Sequence, residues 1–512
     1  MDTSEFRRIA KSVIDDKAQG VDLRVADYDE SLERRPVLSC VEPGYLRELL
    51  PNSAPTEPEP FENIRADLHE MIIPGITHWG SPKFLAFFPC GTSYPASIAE
   101  MYSNALSGAY FNWVCGPAVT ELETIVLDWL AKALGLPECF LSSGPTNGGG
   151  VIHSSATESI LVTMAAARDK YLNAQTSHLP EGELKEEETW RLRSRLVALG
   201  SSCVHSSTRR AAQMLGVRFV EVPASADEGY AMQGAALSKT IAELDSRGLE
   251  PFYLTATLGT TDVCAVDEFQ GIGEVLQGRK VGEATVWVHV DAAYAGSALL
   301  LPANRKWANQ LGLFNSLNIG PHKWMLTTFD CSVMYIRQRG DLVNALKIQP
   351  PYLQNKYTDM TGVTDYRDWQ ISLGRRFRSL KLWFVMRAYG IRGLQTHIRN
   401  GIALAESLEE KLRKRDDLFT VFTPAQFALL TFQLKRRKET EVTYWTRQFY
   451  NNLIERGDFY LTSTVVNNNY VIRVCTGGAA ITEERVQELY AMLVEEAQRL
   501  LNCDPNCATP RG

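Results

Sequence analysis

The sequence predicts an α/β fold centred on a mostly parallel β-sheet, with a helical arm before it and a small α+β domain after it. Short apolar segments such as RLVALGSS, PFYLTATLG and VWVHVDAA alternate with helical segments such as GAALSKTIAELDSRG. Strands that alternate with helices form parallel sheets that helices cover on both faces. Ligands of such sheets bind beyond the carboxyl ends of the strands, so functional residues are expected there.

Changes of pattern along the chain divide it into three predicted regions. A helical arm is predicted for residues 1–93, because the proline-rich connector PNSAPTEPEP separates two helical segments there. Residues 94–380 predict the large sheet domain, in which Pro117 and Gly135 mark the start and end of a helix. Residues 381–512 predict the small domain, with strands FALLTFQLK and YVIRVCT and a final helix.

The composition limits the classes of function. A formal net charge of −7 over 512 residues, with no basic run, argues against nucleic acid or an anionic membrane surface as a partner. The charged N-terminus lacks the apolar core of a signal peptide, and no apolar run is long enough for a membrane span. The ten cysteines form no zinc-binding pattern, so no metal site is predicted. A soluble cytoplasmic protein that binds small molecules is expected.

Two charged residues stand in unusual surroundings. Lys323 lies among apolar residues in NIGPHKWMLTTFD, and a desolvated amine has a lowered pKa and attacks carbonyls. Alone, Lys323 could equally be a surface lysine whose stem packs on apolar residues. Asp291 ends the strand VWVHVDAA before a run of small residues, which suits a flat cationic group. Alone, Asp291 is more often a helix cap or part of a structural ion pair.

A third feature is the segment NGGGVIHSSATES. Glycines 148–150 permit close backbone approach, and Ser155 and Glu158 match a capping box at a helix start. The free N–H groups there, with the hydroxyls of Ser155 and Thr157, suit a phosphate monoester, although a plain capped helix is the alternative. His153 stands where a dinucleotide motif needs its third glycine, which disfavours a nicotinamide enzyme.

Together these features indicate pyridoxal phosphate. Its aldehyde needs an amine, its pyridine nitrogen needs an acid and its phosphate needs an anion site. His205 in SSCVHSST adds a flat imidazole that could stack on the ring, although a lone histidine is more often a core or surface residue. The coincidence is far more specific than any single feature.

The sequence resembles the aromatic L-amino acid decarboxylase family, the group II pyridoxal-phosphate decarboxylases. The similarity covers nearly the whole chain and includes GGGVIHSSATES, ATLGTT, WVHVDAAYAGSALL, PHKWML and GRRFRSLKLWFVMRAYG. It implies the type I fold of pyridoxal-phosphate-dependent transferases, which is like that of aspartate aminotransferase. It also implies a homodimer with the active site at the interface and an arm that wraps the partner.

The resemblance further implies roles for single residues. Lys323 would attach the cofactor, Asp291 would pair with the pyridine nitrogen and His205 would stack on the ring. The other implied cofactor contacts are Ala293 against the ring, Ala156, Thr157 and Thr261 near the phosphate and neighbouring groups, and His322. The family has an asparagine where this chain has Gly320, which removes one polar contact to the phosphate.

The reaction product depends, by the same resemblance, on a tyrosine of a mobile lid. The lid corresponds to KIQPPYLQNKYTDMTGVTDYRDWQ, and its proton-donating tyrosine to Tyr366. Relatives with phenylalanine there resemble oxidative aldehyde synthases. Tyr366 therefore predicts an amine and CO₂ as products. An aldehyde synthase and a non-catalytic protein on the same fold are the alternatives.

An aromatic side-chain pocket is implied as well. Some plant relatives carry glycine for indole substrates and serine for phenols at the position of Gly374. Tryptophan or 5-hydroxytryptophan is therefore slightly favoured over tyrosine, dopa and phenylalanine. The pocket residues implied are Trp79, Phe87, Phe88, Pro89, Phe111 and Gly374.

Overall fold

A seven-stranded sheet forms the centre of the protein in the computed structural model, which describes residues 3–15, 35–277, 285–358, 360, 362–436 and 438–502. Its strands are β1 (Gly149–His153), β2 (Leu196–Ser201), β3 (Arg218–Val222), β4 (Glu250–Thr257), β5 (Trp287–Ala292), β6 (Ser316–Ile319) and β7 (Ser332–Ile336). The order is β1-β7-β6-β5-β4-β2-β3. Only the pairs that involve β7 are antiparallel within this sheet of described residues. The predicted mostly parallel sheet is confirmed.

Both faces of this sheet are covered. The evidence is that neighbouring residues of one strand, which point to opposite faces, belong to different apolar cores. In β2, Val197 and Leu199 join one core, whereas Leu196 and Ala198 join the other. The helices are Thr3–Asp15, Tyr45–Leu49, Phe61–Asp67, Tyr94–Ala105, Pro117–Leu134, Ala156–Thr176, Glu183–Arg193, Ser206–Met214, Gly234–Ser246, Phe269–Gln277, Arg305–Ala308, Pro321–Trp324, Arg339–Leu346, Ser379–Arg413, Glu439–Arg456 and Glu483–Asn502. None of the helices in the described ranges is long and apolar enough to cross a membrane.

The predicted ends of the helix Pro117–Leu134 are confirmed. Pro117 occupies its first turn, and Gly135 ends it at a φ of 71°, a left-handed conformation that glycine adopts without strain. The long helix Ser379–Arg413 is interrupted at Gly390, whose φ of 63° and ψ of 170° are not helical.

The helix Ala156–Thr176 begins as predicted, but with a different cap. Ser155 Oγ accepts the N–H of Glu158 at 3.3 Å. The Glu158 carboxylate does not return to the Ser155 N–H, because it accepts the N–H and the hydroxyl of Ser154 at 3.0 and 2.8 Å. The capping box is therefore only half formed.

The glycines before this helix serve the packing of β1. A Cβ at Gly148 would overlap the carbonyl oxygen of Cys139, and one at Gly150 would lie 2.9 Å from the Tyr335 ring on β7. Gly149 and Gly150 are the first residues of β1 and lie at its opposite end from the helix start, so they do not take part in the predicted anion site there.

The small domain contains an antiparallel sheet of β8 (Phe419–Gln426), β9 (Leu429–Leu434), β10 (Thr462–Val466) and β11 (Asn469–Cys475). Part of the predicted arm joins it. Leu85 N donates to Tyr460 O, Cys475 N donates to Leu85 O, both at 2.9 Å, and Leu85 lies in the small domain's core. The predicted boundaries at residues 93 and 380 stay predictions. The tail from Cys503 onwards lies outside the described residues.

A buried ion pair fixes the segment that follows the predicted lid. Arg375 Nη2 donates to Glu123 Oε1 at 2.7 Å, and both side chains are buried. The same carboxylate oxygen accepts the N–H of Ile152 at 2.9 Å, and Arg375 Nε donates to Gln370 Oε1 at 2.8 Å. The pair thus joins residues 370–375 to β1 and to the helix Pro117–Leu134.

Substitution of Glu123→Leu should destabilise the protein, because it leaves the Arg375 guanidinium buried without its counter-ion. The free energy of unfolding in urea should fall by about 3–5 kcal/mol. The double variant with Arg375→Met should recover part of this loss. As a control, Glu410→Leu removes the solvent-exposed pair with Lys414 and should change little. Equal effects of the two single substitutions would contradict the prediction.

Candidate active site

The carboxyl ends of five strands lie at one edge of the large sheet, because β1, β2, β4, β5 and β6 run in the same direction. A predicted site residue follows each of them. Ala156 follows β1, His205 follows β2, Thr261 follows β4, Ala293 follows β5 and Lys323 follows β6. The topology brings together residues that are far apart in the sequence.

Lys323 lies in the short helix Pro321–Trp324, directly beyond β6. Its Nζ lies 5.1 Å from the centre of the Phe88 ring. Burial lowers the pKa of Lys323, while the negative charge of Asp291 opposes this shift. The surroundings therefore favour the free amine, which is the nucleophilic form.

His322 supports the position of this helix. Its Nδ1 accepts the N–H of Cys331 at 2.8 Å, so the neutral ring carries its proton on Nε2. Burial, together with the nearby charge of Lys323, lowers the pKa of His322 to about 4. A neutral imidazole next to Lys323 adds no positive charge.

Asp291 has one oxygen engaged and one left for a ligand. Oδ1 accepts the N–H of Ala293 at 3.0 Å and the Nδ2–H of Asn318 at 3.1 Å. Oδ2 accepts no hydrogen bond from the part of the chain that the structure describes. A buried carboxylate with one free oxygen suits the N–H of a protonated pyridine.

The start of the helix Ala156–Thr176 offers free backbone donors. The N–H groups of Ala156 and Thr157 have no intrahelical acceptor, and both residues are partly exposed. Together with the helix dipole they form an anion site. Thr261 is partly exposed in the tight turn after β4, in which Gly259 has a φ of 87°.

Gly320 is closely packed. Its N–H donates to Ala293 O at 2.9 Å, and a Cβ at this position would lie 2.6 Å from the same oxygen. The N–H of Gly320 is therefore already engaged. The backbone must shift here before any side chain, such as the asparagine of the family, fits.

His205 is exposed and caps the helix Ser206–Met214. Its Nδ1 accepts the N–H of Ser207 at 3.3 Å and lies 2.8 Å from the Ser207 hydroxyl. The neutral ring therefore carries its proton on Nε2. The cap fixes the imidazole at the edge of the sheet at which Lys323 and Asp291 lie.

These groups fit pyridoxal phosphate. Lys323 supplies the amine for the aldehyde and Asp291 the free oxygen for the pyridine N–H. The N–H groups of Ala156 and Thr157 supply donors for the phosphate. Among the described residues, no group of three or more His, Cys, Asp or Glu side chains could hold a metal ion.

Two of the predicted pocket residues line a cavity of about 230 Å³. Trp79 and Pro89 line it together with Cys475. Phe87 stacks on Trp79, with ring centres 5.7 Å apart. Phe88 packs deeper, because its ring stacks on Tyr294 at 3.9 Å and lies beneath the amine of Lys323.

Phe111 and Gly374 belong to a second group. The carbonyl of Phe111 accepts the N–H of Arg367 at 3.1 Å, and a Cβ at Gly374 would lie 3.9 Å from the Cβ of Ala109. Among the described residues, no hydrogen bond or ring contact joins this group to Trp79.

Tyr366 packs into the protein interior, which differs from the exposed position expected of a residue on a mobile lid. Its side chain is 2% exposed, its hydroxyl lies 3.1 Å from Thr124 Oγ1, and Arg375 Cζ lies 4.5 Å from the centre of its ring. Burial raises the pKa of Tyr366. A hydrogen bond of 2.9 Å between His153 and the Trp369 carbonyl holds the same turn.

Tyr352 is a residue that the sequence reasoning missed. It lies in the turn Pro351–Leu353 of the same loop and is 79% exposed. Tyr357, also in this loop, packs on Trp113 with ring centres 4.6 Å apart. The loop contains three tyrosines, and only their burial distinguishes them.

Arg473 was missed as well, although it points inward from the predicted strand YVIRVCT. Its guanidinium is buried and lies 5.4 Å from the centre of the Phe88 ring. Nη1 donates to Thr462 Oγ1 at 2.9 Å and Nε to Asp262 O at 3.2 Å. Nη2 has no partner among the described residues. An unpaired buried guanidinium nitrogen favours an anionic ligand.

Known proteins share this sequence and fold. The model of the pyridoxal-dependent decarboxylase conserved domain matches residues 43–435. The aromatic-L-amino-acid decarboxylase of Cavia porcellus is 40% identical over 507 residues, which cover 98% of this chain and 100% of that protein. The phenylacetaldehyde synthase of Arabidopsis thaliana is 39% identical over 510 residues, which cover 98% of each chain.

A solved structure agrees with this assignment. The tryptophan decarboxylase of Catharanthus roseus, solved in complex with L-tryptophan, has a TM-score of 0.87 and 37% identity. The match covers 98% of this chain and 99% of that one. The predicted type I fold is confirmed. The chain therefore belongs to the pyridoxal-dependent decarboxylase family, in its aromatic-L-amino-acid decarboxylase group, and takes pyridoxal phosphate as its cofactor.

Proposed function

We propose that the protein converts an aromatic L-amino acid to the arylalkylamine and CO₂. The observation that carries the proposal is the position of the Lys323 amine and the free Asp291 oxygen at one edge of the sheet. The aromatic cavity beside Trp79 supports an aromatic substrate.

Pyridoxal phosphate supplies the electron sink that accepts the electron pair left when CO₂ departs. Asp291 Oδ2 would accept the N–H of the pyridine nitrogen, and His205 would lie against the ring. Arg473 attracts the carboxylate of the substrate, because its Nη2 has no partner among the described residues. The partly buried Phe88 ring, whose centre lies 5.1 Å from Lys323 Nζ, shields one side of the amine from water.

Tyr352, in place of Tyr366, donates the proton to Cα after CO₂ has left. An exposed hydroxyl in a loop can approach the substrate when the loop closes. Tyr366 is held by Thr124 and the Glu123–Arg375 pair and cannot follow such a movement. A proton donor on the lid favours the amine over an aldehyde, the kind of product named for the Arabidopsis phenylacetaldehyde synthase.

The pocket slightly favours tryptophan or 5-hydroxytryptophan as the substrate over tyrosine, dopa and phenylalanine. Gly374 is exposed, and the atom nearest to a Cβ there is the Ala109 Cβ at an ordinary contact distance. Glycine is therefore not required by packing within one chain, and the open space suits the larger indole ring. The solved relative that binds L-tryptophan supports the same preference.

The protein acts as a homodimer in the cytoplasm. On the helix Tyr94–Ala105 and the residue after it, the large apolar side chains Tyr94, Ile98, Met101, Tyr102 and Leu106 are exposed. A second stripe at four-residue spacing consists of Ile64, Leu68, Ile72 and Ile76. Apolar faces of this extent fit a second copy of the chain. The partner's Phe111 group would then complete the pocket beside Trp79.

Substitution of Tyr352→Phe should change the reaction products. Without the proton donor, aldehyde and peroxide should replace most of the amine when all three are measured with aromatic L-amino acids. Tyr366→Phe should keep the amine as product and lower the free energy of unfolding by about 1 kcal/mol, through loss of the hydrogen bond to Thr124. Lys323→Ala, which abolishes covalent attachment, is the inactive control. A switch of products in Tyr366→Phe alone would overturn the assignment.

Substitution of Gly374→Ser should shift selectivity towards phenols. The added Cβ and hydroxyl narrow the space for an indole and offer a hydrogen bond to a phenol, so the ratio of kcat/KM for tryptophan to that for tyrosine should fall about 10-fold or more. Steady-state assays with both substrates check this. An unchanged ratio would show that Gly374 does not line the pocket.

Substitution of Ile98→Asp should break the dimer and abolish activity, because it places a charge within the apolar face. Sedimentation velocity and amine production report the two effects. Leu184→Asp changes another exposed apolar side chain, outside this face, and should leave both unchanged. An active monomer would refute the proposal that the partner completes the site.

A further inference from the structure

We propose that His289 and Asn318 are positioning residues that hold Asp291 in place for the pyridine nitrogen of the cofactor. They would act through a chain of hydrogen bonds that begins at Trp287 and ends on the Asp291 carboxylate. This inference rests on the proposed contact between Asp291 and the cofactor.

The register of two parallel strands creates the chain. His289 lies beside Ser316 and Asp291 lies beside Asn318 in the pairing of β5 with β6. Alternate residues of a strand share a face, so these four side chains project from the same side of the sheet. The Trp287 indole belongs to the same alternating set on β5.

The distances along the chain are those of hydrogen bonds at every link. Trp287 Nε1 lies 2.9 Å from Ser316 Oγ, which lies 2.8 Å from His289 Nδ1. His289 Nε2 lies 2.7 Å from Asn318 Oδ1, and Asn318 Nδ2 lies 3.1 Å from Asp291 Oδ1. The chain is continuous over five side chains.

The two end groups fix the direction of every proton. The indole of Trp287 can only donate, and the Asp291 carboxylate can only accept. Asn318 must therefore turn its NH₂ to Asp291 and its oxygen to His289. His289 then donates from Nε2 and accepts the Ser316 hydroxyl at Nδ1. Only the neutral imidazole with its proton on Nε2 satisfies the chain.

Burial strengthens these hydrogen bonds without adding a charge. Ser316, His289 and Asn318 are fully buried, and bonds in such surroundings polarise one another. Burial lowers the pKa of His289 to about 4, so the ring is neutral at physiological pH. A neutral donor chain orients Asp291 without competing for its negative charge. A cation placed directly beside the carboxylate would compete with the pyridine N–H.

The consequence for Asp291 is that only Oδ2 is left for the cofactor. Oδ1 is occupied by Asn318 and by the Ala293 N–H. The carboxylate therefore cannot rotate without losing two hydrogen bonds. Loss of His289 frees the Asn318 amide to turn, and loss of that amide frees Asp291.

The test compares two cofactors on purified apoprotein. One is pyridoxal phosphate, and the other is its deaza analogue, in which C–H replaces the ring nitrogen. His289→Phe should raise the dissociation constant of pyridoxal phosphate about 10-fold or more, the effect of losing a hydrogen bond to a charged group. The affinity for the deaza analogue should stay within about threefold. His289→Gln, whose amide can donate to Asn318 and accept from Ser316, should recover part of the loss.

Two comparisons separate this role from a structural one. His153 is also a buried histidine bonded at both nitrogens, to Ser159 and to the Trp369 carbonyl. His153→Phe should change the affinities for both cofactors by the same factor. Ser316→Ala removes one link with little change in volume and should discriminate between the two cofactors in the same way. It serves as the test if His289→Phe fails to fold.

Asp291→Asn is the reference variant. It should weaken the binding of pyridoxal phosphate and leave the binding of the deaza analogue unchanged. If Asp291→Asn discriminates between the cofactors but His289→Phe and Ser316→Ala do not, the positioning role is wrong and the cofactor contact stands. If Asp291→Asn itself does not discriminate, the proposed contact of Asp291 fails, and the inference fails with it.

Discussion

The parallel pairing of β5 with β6 is the constraint on which the site depends. It places Asp291 beside Asn318 and ends β6 at Gly320, so that the helix bearing Lys323 starts at the same edge of the sheet. The hydrogen bond from Gly320 N to Ala293 O joins the two strand ends. A shift of one residue in this register would turn Asp291 or Asn318 to the opposite face. The Asn318 amide would then no longer donate to the Asp291 carboxylate.

Burial sets the chemistry of both groups in different ways. The amine of Lys323 loses its hydration among Phe88 and its neighbours, which lowers its pKa and leaves it nucleophilic. Asp291 keeps two N–H donors, and such donors stabilise a carboxylate in a low-dielectric interior. The same interior thus favours the free amine of Lys323 and supplies hydrogen-bond donors to Asp291.

The predicted lid, which follows the helix Arg339–Leu346, combines a fixed end with an exposed part. The Glu123–Arg375 pair and the hydrogen bond from His153 to the Trp369 carbonyl hold its end against β1. Tyr352, nearer its start, faces solvent. Tyr366 belongs to the fixed part, and its aromatic ring stacks on the Arg375 guanidinium.

The sequence by itself predicted the fold class and the cofactor, because apolar periodicity and residue chemistry are local properties, and its resemblance in segments such as WVHVDAAYAGSALL gave the family. It also determined the ends of the helix Pro117–Leu134, since proline and glycine act through their own backbone angles. Only the tertiary structure decided that glycines 148–150 pack a strand, that Tyr366 is buried, and that Trp287, His289 and Asn318 connect to Asp291. These properties depend on strand order, register and burial, and no spacing in the chain encodes them.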